Sequence, residues 1–265
     1  MRTRLIYFLS SIVLLAGSVT AFGQSLPPDA QRILLPIRPL YVGGVFGSAW
    51  YTEAGLANLS DTLVPVYGIP PCTLEGCPQG PVQIAGHSTG WTGFIGGQCS
   101  SQGMLLVIDR ARANDVAFTE RTHDTSRDAK AWGAMIPVIR DDQMPSLRFS
   151  LVDVPMDPRF RVMLRIYDID PSTPPSIHVR VYDEHYPGGG GDPDTLLTEF
   201  TPTLATNGQP FCVASVEIPV SGDSRINFVQ RVRFEFESLD GRRDYWAFAS
   251  VTNNDTQEVS VIAPH

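Results

Sequence analysis

Lysine is almost missing from this chain: Lys130 stands alone beside 19 arginines, against 28 acidic residues, and the net charge over 265 residues is −8. A surface of that sign, without a flexible basic cluster, argues against nucleic acid as a partner and against adhesion to anionic lipid. Helical periodicity is nearly absent as well. The 23 glycines and 22 prolines are too many for a helical protein. No P-loop, dinucleotide fingerprint, HExxH pair or heptad repeat occurs. The four cysteines lack a zinc spacing, because C-x4-C is followed 22 residues later by a lone cysteine and then by the distant Cys212. Long apolar runs are missing too, apart from Leu5 to Ala16, which falls short of the roughly 20 apolar residues of a membrane span.

That single run follows Arg2 and Arg4 and precedes small residues ending at Ala21 and Gly23, the arrangement of an export signal. Residues 1–23 are therefore expected to be removed, and the mature protein to be secreted or periplasmic. An even number of cysteines in an oxidising compartment reads as disulfides. Three connectivities can join Cys72, Cys77, Cys99 and Cys212; the turn-rich CTLEGC favours Cys72 with Cys77, leaving Cys99 to tie to Cys212.

What the chain has in abundance is period two. Phe160, Val162, Leu164 and Ile166 alternate with Arg161, Met163, Arg165 and Tyr167, the pattern of a strand with one face on a core and the other largely polar. Ile177, Val179 and Val181 repeat it against His178, Arg180 and Tyr182, as do Val232, Phe234 and Phe236 against Arg233, Glu235 and Glu237. Turn formers separate these runs, including four glycines from Gly188. Further strands are expected at 33–37, 49–57, 63–67, 82–85, 104–108, 116–121, 135–139 and 147–152. The fold class is therefore all-β: an antiparallel β-sandwich, immunoglobulin-like or jelly-roll, as one large or two packed units. With a polar seam from Arg140 to Pro145, the regions are residues 24–140 and a C-terminal sandwich over 141–265. Trp50 to Asn58 also echoes Trp246 to Asn254, each reading as an aromatic-led strand that turns at an asparagine into a hairpin.

Three constellations carry candidate chemistry. Gly86-His87-Ser88-Thr89-Gly90 is a formal G-x-S-x-G, which in an α/β-hydrolase presents a serine on a strand-to-helix turn. Here Ser88 would need His185 and Asp168 as partners, and the glycine-rich stretch that follows is a poor helix. Asp168 and Asp170 end one strand and Asp183 ends another. Carboxylates converging from such loops would suit a structural Ca2+ ion, the one cofactor the sequence suggests. Trp91 and Tyr186, both beside glycine loops, are the aromatics placed to stack on a sugar. Asn58-Leu-Ser60 and Asn254-Asp-Thr256 match the N-glycosylation sequon, and both also serve as turns.

The stretches WGAMIPVIRDDQ, LVDVPMDPRFRVMLRIYDID and WAFASVTNNDTQEVSVIAP resemble uncharacterised secreted β-rich proteins of environmental bacteria. That resemblance implies an all-β fold and supplies no catalytic residue. The expected function is a non-catalytic binding or structural module that engages a glycan or a cell-surface partner through loops. A secreted serine hydrolase using Ser88 is the alternative, and self-association through edge strands is a third reading.

Overall fold

The structure is a computed structural model that describes residues 26–37, 41–44, 47–69, 81–91, 103–126, 133–170, 176–184, 195–205, 212–218 and 231–264. The first ten strands are β1 (Ala30–Leu35), β2 (Tyr41–Gly43), β3 (Ala49–Asn58), β4 (Val64–Ile69), β5 (Val82–Ile84), β6 (Thr89–Trp91), β7 (Met104–Asp109), β8 (Val116–Asp124), β9 (Ala134–Ile136) and β10 (Ile139–Arg140). Then follow β11 (Arg148–Pro155), β12 (Phe160–Asp168), β13 (Ile177–Asp183), β14 (Leu196–Phe200), β15 (Cys212–Ile218), β16 (Arg231–Ser238), β17 (Tyr245–Asn253) and β18 (Val259–Ile262). Two 3-10 turns, Arg110–Asp115 and Asp141–Gln143, complete the regular structure among the described residues.

Every pairing among these strands is antiparallel. They form four sheets. Sheet I runs β2-β3-β8-β9, with β6 also on β3; sheet II runs β10-β1-β7-β4-β5; sheet III runs β15-β12-β17-β18; sheet IV runs β11-β16-β13-β14. The all-β sandwich expected from the sequence is the fold that forms.

Side-chain alternation stacks the sheets in that order. Ala54, Leu56 and Val116 of sheet I bury against Ile33, Leu35, Val66 and Leu106 of sheet II. Leu34 and Leu105 leave sheet II on its other face and meet Tyr167, Trp246 and Phe248 of sheet III. The opposite face of sheet III gives Val162, Leu164, Ile166 and Ala249 to a core shared with Leu151, Val179, Phe234 and Phe236 of sheet IV. Each fully buried Leu, Ile or Phe in these layers contributes on the order of 1.5–3 kcal/mol. Burial on both faces explains why Ile33 to Leu35 of β1 and Met104 to Ile108 of β7 read as unbroken apolar runs.

The stack also corrects the reading of β12 as half solvated. Its second face points at sheet II, so Tyr167 is fully buried, and its hydroxyl donates to the Pro36 carbonyl at 2.5 Å. The guanidinium of Arg165 lies over the Phe248 ring, 6.0 Å from its centroid. The echo between the two Trp-led strands divides in the same way. β17 turns into β18 as a hairpin, with Thr252 opposite Val259, whereas β3 turns into β4, which belongs to the facing sheet. Asn58 makes that corner. It is 2% exposed; its Nδ2 donates to the Thr62 and Ile84 carbonyls at 2.7 and 2.8 Å, and its Oδ1 accepts from Ser60 N at 3.0 Å.

Candidate functional site

Asn58 also accounts for the G-x-S-x-G motif. Gly86 and His87 form a turn between β5 and β6, so a strand follows Ser88 where a nucleophile elbow needs a helix. The Ser88 hydroxyl donates to the Ala85 carbonyl at 2.6 Å, and its own carbonyl accepts from Asn58 N at 2.9 Å. A Cβ on Gly86 would lie 2.5 Å from the carbonyl carbon of Asp61. The first glycine of the motif is therefore required by the close approach of the Asn58–Thr62 corner. His87, at φ 53°, turns its Nε2 to Asp61 at 2.6 Å with both side chains exposed. Of the other proposed triad members, His185 lies outside the described residues, and Asp168 is engaged elsewhere.

Asp168 ends β12 with its side chain 1% exposed, facing Arg242 at 2.8 Å, while its Oδ1 accepts from Asp170 N at 2.9 Å. Burial pushes its carboxyl up to about 7, opposed by the Asp170 N–H and by Arg242, while the charges of Asp170 and Asp244 add to the rise. Asp183 ends β13 in sheet IV, not beside this pair. Among the described residues no group of three or more His, Cys, Asp or Glu side chains could hold a metal ion. The structure thus does not gather Asp168, Asp170 and Asp183 into one ligand set; an arginine, not a metal ion, stands against the buried Asp168 carboxyl.

The disulfide expectation is also corrected. The structure holds no disulfide bond among the described residues. Cys72, Cys77 and Cys99 lie outside the described residues, and Cys212 opens β15 opposite Asp168. An oxidising compartment permits disulfides without demanding them, and a chain of this length buries enough surface to hold its fold without one.

Glu120 of β8 was not singled out in the sequence. It points past the end of β1, is fully buried, and accepts from Ile37 N at 3.0 Å through Oε1. Its Oε2 has no hydrogen-bond partner among the described residues. Burial holds its carboxyl well above the ordinary range, opposed by the Ile37 N–H and by Arg165.

With three interfaces filled by the stack, two sheet faces are left open by the described residues. That of sheet IV is a charge ladder in which Arg148 and Arg180 both pair with Glu237, His178 pairs with Glu199, and Arg233 pairs with Glu235. The open face of sheet I is different. Register places Tyr41, Tyr51 and His123 in one row across β2, β3 and β8, and Glu53, Arg121 and Met135 in the next. Tyr41 is 63% exposed, Tyr51 37% and Met135 49%. Glu53 and Arg121 form an ion pair between them. Farther along the same face the side chains shrink, and Gly55, Ala57, Thr89, Gly90, Ala117 and Thr119 line a shallow groove of about 290 Å³. A Cβ on Gly55 would approach the Thr119 hydroxyl at 3.1 Å.

Trp91, one of the two aromatics expected to bind a ligand, stands opposite Gly55 in the β3–β6 register. Tyr186 lies outside the described residues. Tyr41 and Tyr51 were missed, although the sequence carries a trace of them: the outward positions of β3 are Tyr51, Glu53, Gly55 and Ala57, a single charge where a plain solvated face would carry several. Asn58, in the first sequon, has both amide protons committed inside the fold, which removes it as a glycan acceptor.

Comparison with protein-family models, with curated proteins and with solved structures finds no match. The resemblance to secreted bacterial proteins therefore reduces to the β-rich character that the fold displays. Among the described residues no helix is long and apolar enough to cross a membrane.

Proposed function

We propose that this chain is an exported, non-catalytic β-sandwich protein that binds a glycan or a cell-surface partner through the open face of sheet I. In this reading residues 1–23 direct export to a secreted or periplasmic location, and residues 24–140 and 141–265 are two packed units. One observation carries the proposal: of the two sheet faces left open by the stack, sheet IV is neutralised by its own ion pairs, while sheet I sets exposed tyrosines beside a small-residue groove. A contiguous exposed apolar patch rimmed by polar residues is the mark of an interaction site. The placement of Ser88, whose hydroxyl bonds a backbone carbonyl, supports a role without catalysis.

The test is retention of the purified mature protein on washed cell-surface and insoluble polysaccharide fractions, beside a Tyr41→Ser/Tyr51→Ser double variant. The expected result is retention of the parent and loss in the variant. Equal retention of both would remove sheet I from the function.

A further inference from the structure

The open face of sheet I has dimensions that discriminate between occupants. From Tyr51 to Ala57 is six residue steps, about 20 Å of strand, and the face from β2 or β6 across to β9 spans three strand spacings, about 14 Å. The product is about 300 Å², well below the roughly 800 Å² per partner of a stable protein–protein interface. A second copy of this chain, or a folded partner, would have to reach far beyond the aromatic rows and the groove. An added peptide strand is disfavoured for a separate reason. β3 is paired with β8 along its length, and strand addition requires an unpaired edge, whereas here the groove floor is the face of a sheet.

The groups offered on that face have a consistent chemistry. Tyr41 and Tyr51 present apolar rings with a hydroxyl at the tip. Glu53 and Arg121 supply an acceptor and a donor whose charges cancel, and Thr89 and Thr119 add hydroxyls beside a floor kept low by Gly55 and Gly90. Among the described residues of this face a polyanion would meet no uncompensated cation, and it would meet a chain of net charge −8. A narrow, uncharged, hydroxyl-rich ligand with flat apolar ring faces meets every one of these features.

Resting on the reading of sheet I as the binding face, we propose that its ligand is a neutral, unbranched polysaccharide lying along β3, with one sugar ring against the Tyr41–Tyr51 pair and another seated over Gly55. The experiment is affinity gel electrophoresis of the mature protein in gels holding mixed-linkage β-glucan, unsubstituted mannan, linear xylan or, as the acidic arm, polygalacturonate. Tyr51→Ala and Ala57→Arg are run alongside, the latter filling the groove, with Glu235→Ala on sheet IV as control and thermal melts to confirm folding. The expected result is retardation by at least one neutral polymer, weakened tenfold or more in both sheet I variants and unchanged in the control. Retardation by polygalacturonate alone that still depends on Tyr51 would overturn the neutral class and leave the face standing. No retardation by any neutral polymer, or retardation indifferent to Tyr51 and Ala57, would overturn the proposal.

Discussion

Tyr51 and His123 meet edge to face across the β3–β8 pair, with ring centroids 5.8 Å apart and planes at 82°. That contact holds the Tyr51 side chain in place while leaving it 37% exposed. His123→Ala should therefore weaken ligand binding less than Tyr51→Ala and more than a distant surface substitution. Titration calorimetry with the retained polymer checks the order, and an effect of His123→Ala equal to that of Tyr51→Ala would contradict a supporting role.

The glycine of the G-x-S-x-G motif should matter more than its serine. Gly86→Ala forces a Cβ against the backbone of Asp61, and the expected cost is about 1–3 kcal/mol, as for other overpacked sites. Ser88→Ala removes one local hydrogen bond and should cost about 1 kcal/mol or less. Urea melts of both variants check this. A fluorophosphonate should leave Ser88 unlabelled; labelling abolished by Ser88→Ala would restore the hydrolase.

Arg242 is expected to be the costliest single charge to remove. Arg242→Ala would leave Asp168 buried without its cation, and because burial already holds that carboxyl up at about 7 it would take up a proton, at about 1–3 kcal/mol. The double variant Arg242→Met/Asp168→Leu should recover much of that loss, because the need for a partner disappears with the carboxylate. A single variant as stable as the parent would contradict the pairing at 2.8 Å.

Glu120 gives a pH dependence with a definite sign. Its folded-state carboxyl is held above its unfolded value by burial, so the proton it keeps favours the fold. That contribution is complete below the ordinary carboxylate range and is lost as pH rises through the raised folded value. Glu120→Gln should match the parent near pH 4 and exceed it in stability by a growing margin toward neutral pH. Thermal melts across that range check the prediction, and a margin that shrinks with rising pH would contradict it.

Much of the fold was legible because each layer obeys period two. Val162, Leu164 and Ile166 face one core, and Ile177, Val179 and Val181 complete it from the facing sheet, as the alternation required. Alternation does not say what lies beyond the second face. Arg165 and Tyr167 read as a polar side and proved to be the wall between sheets II and III, since sheet-on-sheet stacking is a long-range event with no local spacing. The same limit hid the binding face. Tyr41, Tyr51, His123 and Met135 come from four strands, and only the β2–β3–β8–β9 register puts them together. Asp168 and Asp183 each ended a strand as expected, but the two strands lie in different sheets, and no spacing along the chain reports that.

The most direct measurement of the binding face is hydroxyl-radical footprinting by mass spectrometry, comparing free protein with protein bound to an insoluble neutral polysaccharide. Tyr41, Tyr51 and Met135 are exposed in the free fold, as are Leu196 and Leu239 away from sheet I. The expected result is strong protection of Tyr41, Tyr51 and Met135 on binding, with Leu196 and Leu239 oxidised as before. Protection of Leu196 or of the sheet IV ladder, with Tyr41 and Tyr51 as reactive as in the free protein, would contradict sheet I as the binding surface.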